Sequence, residues 1–131
     1  TASAPRARLA APARSDSEAR SGLVVRRTVR SGQSVRHMGH VVIIGDVNPG
    51  GEVVAGGDVV VWGRLRGLVH AGATGDPDAW VCALQLAPTQ LRIADLFSRA
   101  PDAVGEPKRH ALPEVARIRD GKIVVEAWDE P

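Results

Sequence analysis

The sequence predicts an all-β protein folded as a β-helix with three short sides and about 18 residues in each coil. Two observations lead to this prediction. Residues 41–58 are followed without a gap by residues 59–76, and similar residues recur across this join at a spacing of 18. Short aliphatic runs also alternate with glycine-rich segments, with no helical period between them. A fixed short period marks a stacked architecture, in which each repeat buries its apolar face against the next.

The repeat itself suggests how the coils are built. The pairs that recur at this spacing are Val41/Val59, Val42/Val60, Gly45/Gly63, Ala55/Ala73, Gly57/Gly75 and Asp58/Asp76, together with the aliphatic pairs Ile43/Val61 and Val47/Leu65. Glycine can adopt the positive φ that a tight corner requires. Antiparallel hairpins would need Asn-Gly or Asp-Gly turns, which are absent from residues 41–76. We therefore expect coils that stack like strands of a parallel sheet.

The composition of residues 1–22 predicts a disordered linker. It consists mainly of Ala, Pro, Ser and Arg, so it cannot bury enough apolar area to offset the entropy of ordering. Because linkers join folded units, we expect the chain to be the carboxyl-terminal part of a longer protein. The β-helix domain is then predicted at residues 23–128.

Short strands separated by turn residues are predicted within this domain. Residues 23–30 are β-prone and residues 31–33 are typical of a turn. Further strand-like runs, bounded by glycine, asparagine and aspartate, lie at residues 41–44, 52–55, 58–62, 68–71, 80–83 and 90–94. Residues 101–113 are rich in proline and polar residues and predict a loop. Asp120 and Gly121 interrupt two alternating runs near the end, which predicts a strand pair that closes the open edge of the β-helix.

The composition favours a narrow core and excludes some classes of protein. Hydrophobic residues make up 44% of the 131 residues, but the aromatic ones are only three Trp and one Phe. No run of 18 apolar residues could cross a membrane, and no secretory signal is recognisable. The single cysteine, Cys82, cannot form an intramolecular disulfide, which fits a cytoplasmic location.

The net charge of +2 is divided unevenly along the chain. Residues 1–36 carry eight arginines and two acidic residues, a net of +6, while the remaining nine basic and thirteen acidic residues have a net of −4. These arginines could contact nucleic acid, but no aromatic residues lie among them to stack on bases. We therefore expect no nucleic-acid partner.

No set of residues is typical of catalysis, metal binding or phosphate binding. The sequence contains no HxxxH, CxxC, GxxxxGK[ST] or strand-to-helix GxGxxG pattern. We interpret Cys82 as a small residue of an aliphatic strand. The histidines are interpreted as solvated or turn residues: His37, His40, His70 and His110. The acidic residues expected to cap corners are Asp46, Glu52, Asp58, Asp76 and Asp78. We expect no enzyme activity, metal or cofactor.

Two short segments are candidates for binding a partner protein. RSGQ at residues 30–33 combines a guanidinium group, a hydroxyl, a flexible glycine and an amide. RLRG at residues 64–67 places two arginines at a coil corner, and strand alternation turns both side chains to one face. Solvation of a corner is the alternative interpretation of each segment.

Four segments together resemble the carboxyl-terminal domain of the MinC family of bacterial septum site-determining proteins. They are RSGQ at residues 30–33, GDVNPGGEVVAGGD at 45–58, WGRLRG at 62–67 and HAGA at 70–73. The similarity runs in order from about residue 30 to residue 94 and continues more loosely over residues 116–126. The four segments occur together, in order and at the spacing of the family, and this combination makes the resemblance specific.

This resemblance implies a right-handed, three-sided β-helix that forms a homodimer and binds MinD, the membrane-associated ATPase, in its ATP-bound form. MinD would recruit the protein from the cytoplasm to the inner face of the membrane, where the family inhibits assembly of the FtsZ ring away from midcell. RSGQ belongs to the family's MinD-binding surface, and Glu52 and Gly57 match further positions of it. The implied MinD-binding residues are Arg30, Ser31, Gly32, Gln33, Glu52 and Gly57.

The chain also departs from the family. Members usually carry an amino-terminal domain, the main antagonist of FtsZ, whereas only a linker-like segment precedes the β-helix here. We therefore expect action on FtsZ mainly through a domain missing from this chain. Our hypothesis is a non-enzymatic adaptor. The alternative is a self-polymerising β-helix scaffold of the bactofilin kind, which would form filaments without partner or nucleotide. A carbohydrate lyase is a more remote alternative, since it would need longer coils and a groove.

Overall fold

Short strands form two sheets in the part of the chain that the structure describes. The structure is a computed structural model and describes residues 21–99 and 112–128. The strands are β1 (Gly22–Val25), β2 (Ser34–His37), β3 (His40–Ile43), β4 (Glu52–Ala55), β5 (Val59–Leu65), β6 (Leu68–Ala71), β7 (Val81–Leu86), β8 (Gln90–Ile93), β9 (Leu96–Arg99), β10 (Glu114–Arg119) and β11 (Lys122–Ala127). No helix lies among these elements, so the all-β prediction is confirmed.

Four successive coils, which begin at β1, β3, β5 and β7 and are called the first to the fourth coil, each contribute one strand to each sheet. The first sheet has the order β1-β3-β5-β7-β10-β11, and the second has the order β2-β4-β6-β8-β9. Strands β1 to β8 pair in parallel, each with the equivalent strand of the next coil. A third side connects the two sheets within each coil. There Val29 bridges to Val47, Val47 bridges to Leu65, and Leu65 pairs with Leu86. These pairings confirm the three-sided β-helix.

The core is a set of vertical columns of small side chains. Along β3, β4, β6 and β8, every second residue is buried, as alternation in a strand requires. In the first sheet Val41, Val59 and Val81 are stacked and fully buried. The buried hydrophobic residues of the described segments are Val, Ile, Leu and Ala. Branched side chains of this size fill the narrow interior that the composition predicts.

The spacing of 18 holds for the whole step from the first coil to the second, but only for the first half of the step from the second coil to the third. Val41 pairs with Val59 and Val47 bridges to Leu65, as predicted. In the second sheet, however, Val53 pairs with Val69, a spacing of 16, because the third-coil corner at residues 66–67 is two residues shorter than the corner at residues 48–51. The recurrences Ala55/Ala73, Gly57/Gly75 and Asp58/Asp76 therefore do not mark stacked positions.

The next coil restores the vertical alignment by an insertion. Residues 72–80 form a longer corner, after which Val59 pairs with Val81 and Leu68 with Gln90, both at a spacing of 22. Within this corner Gly72 and Gly75 have positive φ, and the carboxylate of Asp76 accepts the Asp78 N–H at 2.9 Å. Most of the extra residues are thus accommodated at this corner. The pairing of β5 with β7 also shifts by one residue between Val61 and Arg64, so that Leu65 pairs with Leu86 at a spacing of 21 before the spacing returns to 22 at Leu68.

The last strands turn back and cover the edge of the final coil. β9 pairs antiparallel with β8, β10 pairs antiparallel with β7, and β11 pairs with β10 across the turn at Asp120 and Gly121. The predicted closing strand pair is confirmed. Two strands were not expected from the sequence. β2 carries a single aliphatic residue, Val35, and the β8–β9 turn places Ala94 at φ 53 without a glycine or proline to signal it.

The predicted linker and loop lie largely outside the described residues. Residues 1–20 and 100–111 are not described, which includes most of both segments and His110. β1 begins at Gly22, next to the predicted domain boundary at residue 23. The domain boundaries therefore stay a prediction.

Leu65→Ala should lower the free energy of unfolding by about 3 kcal/mol, because it removes buried methyl groups and leaves a cavity on the third side. Leu65 is 0% exposed and lies between Val47 and Leu86. Chemical denaturation followed by circular dichroism measures the effect. Leu112→Ala is the matched control, since Leu112 is 59% exposed, and it should change stability by less than about 0.5 kcal/mol. Equal losses in both variants would contradict this account of the core.

Candidate functional site

The RSGQ segment forms a tight turn at the corner between the third side and the second sheet. The Gln33 N–H donates to the Arg30 carbonyl at 2.9 Å. Gly32, the third residue of this four-residue turn, has φ +84, which favours glycine at this position. The Arg30 N–H donates in turn to the Gln33 side-chain oxygen at 2.9 Å. The turn is therefore closed by both the backbone and the side chain of Gln33.

The corner of the second coil supports this turn from below. The Gly32 N–H donates to the Gly50 carbonyl at 2.9 Å, and the Glu52 N–H donates to the Gln33 carbonyl at 3.0 Å. Gly50 has φ +87, and a Cβ at this position would collide with Ser31 Oγ. Ser31 can pack closely on the second coil only because residue 50 has no side chain.

Glu52 lies beside the turn and is held by two side chains of β2. Its Oε1 accepts from Ser34 Oγ and from Arg36 Nη2, each at 3.0 Å. The pairing of β2 with β4 places Ser34 directly opposite Glu52. Arg36 and Glu52 are partly exposed, so their ion pair is screened by solvent and orients Glu52 more than it stabilises the fold.

A groove of about 410 Å³ joins the predicted residues on this corner. Its lining residues come from corners of the first, second and fourth coils and from strands β2, β4 and β6: Gly32, Gln33, Ser34, Gly50, Gly51, Glu52, Leu68 and Thr89. Arg30 lies next to it in the turn and is exposed, and it has no ion pair within residues 21–99 and 112–128. The structure thus brings the RSGQ turn and Glu52 together on one surface.

Gly57 lies away from this surface. It follows β4 at the opposite end from Glu52, about 13 Å along a strand of this length. Gly57 is buried and donates its N–H to the Gly39 carbonyl at 3.0 Å, and a Cβ there would meet the imidazole ring of His40. Of the six predicted residues, Gly57 is the one that the structure separates from the others.

The site includes residues that the sequence did not reveal. Ser34 and Arg36 hold Glu52, and Leu68 and Thr89 extend the groove. The signal for Ser34 was available, because it precedes Glu52 by the same 18 residues as the repeat. Ser34 and Glu52 are complementary in hydrogen bonding but are not similar residues. The similarity between residues 18 positions apart therefore does not reveal this pair.

The RLRG arginines belong to a ladder of polar side chains on the outer face of the third side. Both point outward, with Leu65 buried between them, as predicted. Arg64 donates its N–H to Asp46 Oδ1 at 2.8 Å, and its guanidinium lies 3.4 Å from Asp46 Oδ2. Arg66 donates to Asn48 Oδ1 at 3.3 Å. Both arginines have partners in the coil below, and their role in docking stays a prediction.

The outer face of the first sheet is apolar along β1, β3, β5 and β7. Val24, Val42, Val60 and Cys82 form one row in register across four strands. Trp62 at 61% exposure and Leu84 extend this face, and a groove of about 400 Å³ runs along it towards Trp128. Burial, together with the carboxylate of Asp58, raises the pKa of the Cys82 thiol to about 11. At neutral pH the thiol is therefore protonated, as expected of a residue on an apolar face.

The described histidines have structural contacts at corners and sheet edges. His37 Nδ1 accepts the Gly39 N–H, and His40 Nδ1 accepts the Asp58 N–H, each at 2.9 Å, while His70 Nε2 lies 3.0 Å from the Ala94 carbonyl oxygen. All three lie within strands, His37 in β2, His40 in β3 and His70 in β6, and are half-buried, so the interpretation as solvated or turn residues is wrong for them. Within the described ranges, no group of three or more His, Cys, Asp or Glu residues could hold a metal ion. A search of the same ranges finds no helix of sufficient length and apolar character to cross a membrane.

Comparison with known proteins gives a consistent result. The family model described as "Septum formation inhibitor MinC, C-terminal domain" matches residues 23–128. The chain is 57% identical over 106 residues to a probable septum site-determining protein MinC of Heliobacterium modesticaldum, which covers 81% of this chain and 36% of the relative. It is 56% identical over 120 residues to the corresponding protein of Symbiobacterium thermophilum, covering 92% of this chain and 51% of that relative. The chain thus spans about half the length of these relatives or less.

A solved structure shows the same fold. It is the MinC:MinD cell division protein complex of Aquifex aeolicus, which aligns with a TM-score of 0.76 and 37% sequence identity. The alignment covers 86% of this chain and 90% of that chain.

Gly50→Ala should destabilise the protein by about 2–3 kcal/mol and displace Ser31, because it adds a steric collision to the strain of a positive φ. Gly121→Ala is the matched control. Gly121 has φ +77, and no atom lies within 4 Å of the position that a Cβ would occupy, so it should lose only about 1 kcal/mol. Denaturation curves, with the NMR shifts of the Ser31 and Gly32 amides, test both variants. Equal destabilisation with unchanged shifts would contradict the close contact between the two corners.

Proposed function

This chain belongs to the septum formation inhibitor MinC family through its C-terminal domain, and we propose that it is a non-enzymatic adaptor that binds MinD. In this role the β-helix binds MinD in its ATP-bound, membrane-associated form. It thereby carries a division inhibitor from the cytoplasm to the inner face of the membrane. The inhibited process is assembly of the FtsZ ring at sites away from midcell.

The observation that best supports this proposal is the exposed RSGQ turn, held on the second coil beside Glu52. This is the segment that the family resemblance assigns to MinD binding. The solved structure with the same fold is a complex of MinC with MinD. A turn whose backbone is already fixed binds a partner with less loss of conformational entropy than a mobile loop.

Recognition at this surface would depend on hydrogen bonds and charge. The exposed guanidinium of Arg30 can form two parallel hydrogen bonds with a carboxylate, or bind a carbonyl group, on the partner. Ser31 presents a hydroxyl from the exposed tip of the same turn. Glu52, held by Ser34 and Arg36, adds an oriented acceptor on the adjacent strand. We expect Gly57 to act indirectly, by allowing His40 to pack against it.

Inhibition of FtsZ would depend mainly on a part of the MinC relatives that lies outside the region aligned with this chain. The chain covers 36% of one curated relative and 51% of another, so much of each relative lies outside the alignment. In this proposal the β-helix determines location, and an amino-terminal domain acts on FtsZ.

The apolar face of the first sheet is proposed to bind a second copy of this chain. Its row of Val24, Val42, Val60 and Cys82 is flat and in register, so a two-fold-related copy can match it residue by residue. The RSGQ turn lies at a corner of the second sheet, outside this face. A homodimer of this kind would leave both MinD-binding surfaces uncovered.

The family match does not favour a self-polymerising scaffold of the bactofilin kind. Such a scaffold would sediment without MinD or nucleotide, which gives the two functions opposite outcomes in one assay.

Arg30→Ala should abolish co-sedimentation of the chain with MinD, ATP and lipid vesicles, because it removes the exposed charged group of the turn. The side chain of Arg30 takes no part in closing the turn, so the fold and the dimer should persist. The wild-type chain should sediment with ATP and not with ADP. Sedimentation without MinD would support the scaffold instead.

Arg26→Ala serves as the matched control for this substitution. Arg26 is an exposed arginine of the same coil that does not line the groove beside the RSGQ turn, and its loss should leave MinD binding unchanged. If Arg30→Ala disrupts the dimer together with binding, Arg30 is a structural residue and the assignment of the site is wrong.

Val60→Glu should convert the dimer to a folded monomer, because dimerisation would bury the added carboxylate in an apolar interface. Analytical ultracentrifugation measures the mass, and circular dichroism checks the fold. Val54→Glu is the control, since Val54 occupies the equivalent outward position in the second sheet. A dimer that persists in Val60→Glu and dissociates in Val54→Glu would place the interface on the second sheet.

A further inference from the structure

We propose that Gln33 acts in the RSGQ site as a positioning residue, and that Arg27, outside the motif, acts with it. On this view the side-chain oxygen of Gln33 sets the conformation of the turn instead of contacting the partner. The expected effect of this arrangement on MinD binding rests on the proposed function. The structural part of the inference, control of the turn, is independent of any partner.

The hydrogen bonds of Gln33 carry the first step. Its side-chain oxygen accepts the Arg30 N–H at 2.9 Å and lies 3.4 Å from Arg27 Nη1. Both groups are donors, and only the oxygen of the amide can accept from them, so the oxygen faces the turn. The backbone N–H and carbonyl of Gln33 are also used, by Arg30 and Glu52 respectively. Gln33 is therefore engaged within the protein at three points.

The position of Arg27 carries the second step. A Cβ on Gly45 would lie 2.9 Å from the carbonyl carbon and oxygen of Arg27, so the absence of a side chain at residue 45 permits this approach. Thr28 Oγ1 accepts the Asp46 N–H at 3.3 Å, and the Val29 N–H donates to the Asp46 carbonyl at 2.8 Å. The second coil thus fixes the backbone at Arg27 and at the two residues that follow it, and the Arg27 guanidinium lies against the Gln33 side chain.

The groups that remain for a partner follow from this arrangement. The guanidinium of Arg30 and the hydroxyl of Ser31 are not used in closing the turn. If Gln33 lost its acceptor, the Arg30 N–H would depend on water, and the turn would populate other conformations. We expect binding to weaken by about tenfold when this hydrogen bond is lost, which corresponds to about 1.4 kcal/mol and lies within the usual contribution of one hydrogen bond.

Two substitutions of Gln33 separate positioning from direct contact. Gln33→Glu keeps an acceptor of the same length and strengthens it by charge, whereas Gln33→Met keeps the size and removes the acceptor. The first readout is made on the free protein: the hydrogen-exchange rate and temperature coefficient of the Arg30 amide by NMR. The amide should stay protected in Gln33→Glu and lose protection in Gln33→Met.

The second readout is the Kd for ATP-bound MinD. Gln33→Glu should bind within about threefold of wild type, and Gln33→Met about tenfold more weakly. The proposal is overturned if Gln33→Met leaves the Arg30 amide protected. It is also overturned if Gln33→Glu keeps the amide protected but binds as weakly as Gln33→Met, because the amide nitrogen would then contact MinD directly.

A double-mutant cycle tests Arg27. If Arg27 acts through Gln33, the losses in Arg27→Ala and Gln33→Met should not add in the double variant. Arg26→Ala, a neighbouring exposed arginine, should have no effect on the Arg30 amide. Additive losses would mean that Arg27 acts separately. If no form of the chain binds MinD, the proposed function fails, and the Arg30 amide still decides whether Gln33 and Arg27 set the turn.

Discussion

The vertical stacking of equivalent residues in successive coils is the constraint on which the rest of this structure depends. On the third side, one buried residue of each coil stacks on the next, Val29 on Val47 on Leu65 on Leu86. Backbone hydrogen bonds repeat beside this column, with the Val47 N–H donating to the Arg64 carbonyl and the Arg66 N–H to the Val47 carbonyl, each at 2.8 Å. These bonds and the apolar contacts together keep the register of this side. Once that register is fixed, each corner lies directly above the corner of the next coil. The RSGQ turn can then rest on residues 48–51, and the site is a product of two coils.

Alternation along the strands converts this register into three outer faces of different chemistry. The first sheet presents the aliphatic row that ends at Cys82, and the third side presents the ladder of Asp46 with Arg64 and Asn48 with Arg66. The second sheet presents Glu52 between Ser34 and Arg36. Because each face has its own composition, the proposed self-association and the proposed recognition of MinD would not compete for the same residues. A three-sided solenoid separates such surfaces with a core only one side chain thick.

The sequence predicted the parts of the fold that depend on similarity between coils. The column of Val41 and Val59 and the bridge from Val47 to Leu65 lie where the spacing of 18 placed them. The prediction failed where corner lengths vary, since a corner can lose or gain residues without disturbing the sides. It also failed for Ser34 and Arg36, because partners in an ion-pair ladder are complementary. The resemblance to a known family supplied the RSGQ segment, but only the three-dimensional structure showed that the side-chain oxygen of Gln33 accepts a hydrogen bond within the turn.

Two of the residues implied by the resemblance, Glu52 and Gly57, lie at opposite ends of β4 and have different physical roles. Glu52 is the first residue of β4, and Gly57 lies just beyond its last residue. Glu52 provides an oriented charge beside the RSGQ turn, whereas Gly57 is buried against His40. Gly50 and Gly57 both act because they have no side chain. A Cβ at Gly50 would displace Ser31, and a Cβ at Gly57 would displace the imidazole ring of His40. A glycine that belongs to a binding surface therefore need not touch the partner. It can determine where its neighbour in the adjacent coil lies, and the stacking of coils makes such indirect effects the rule in this fold.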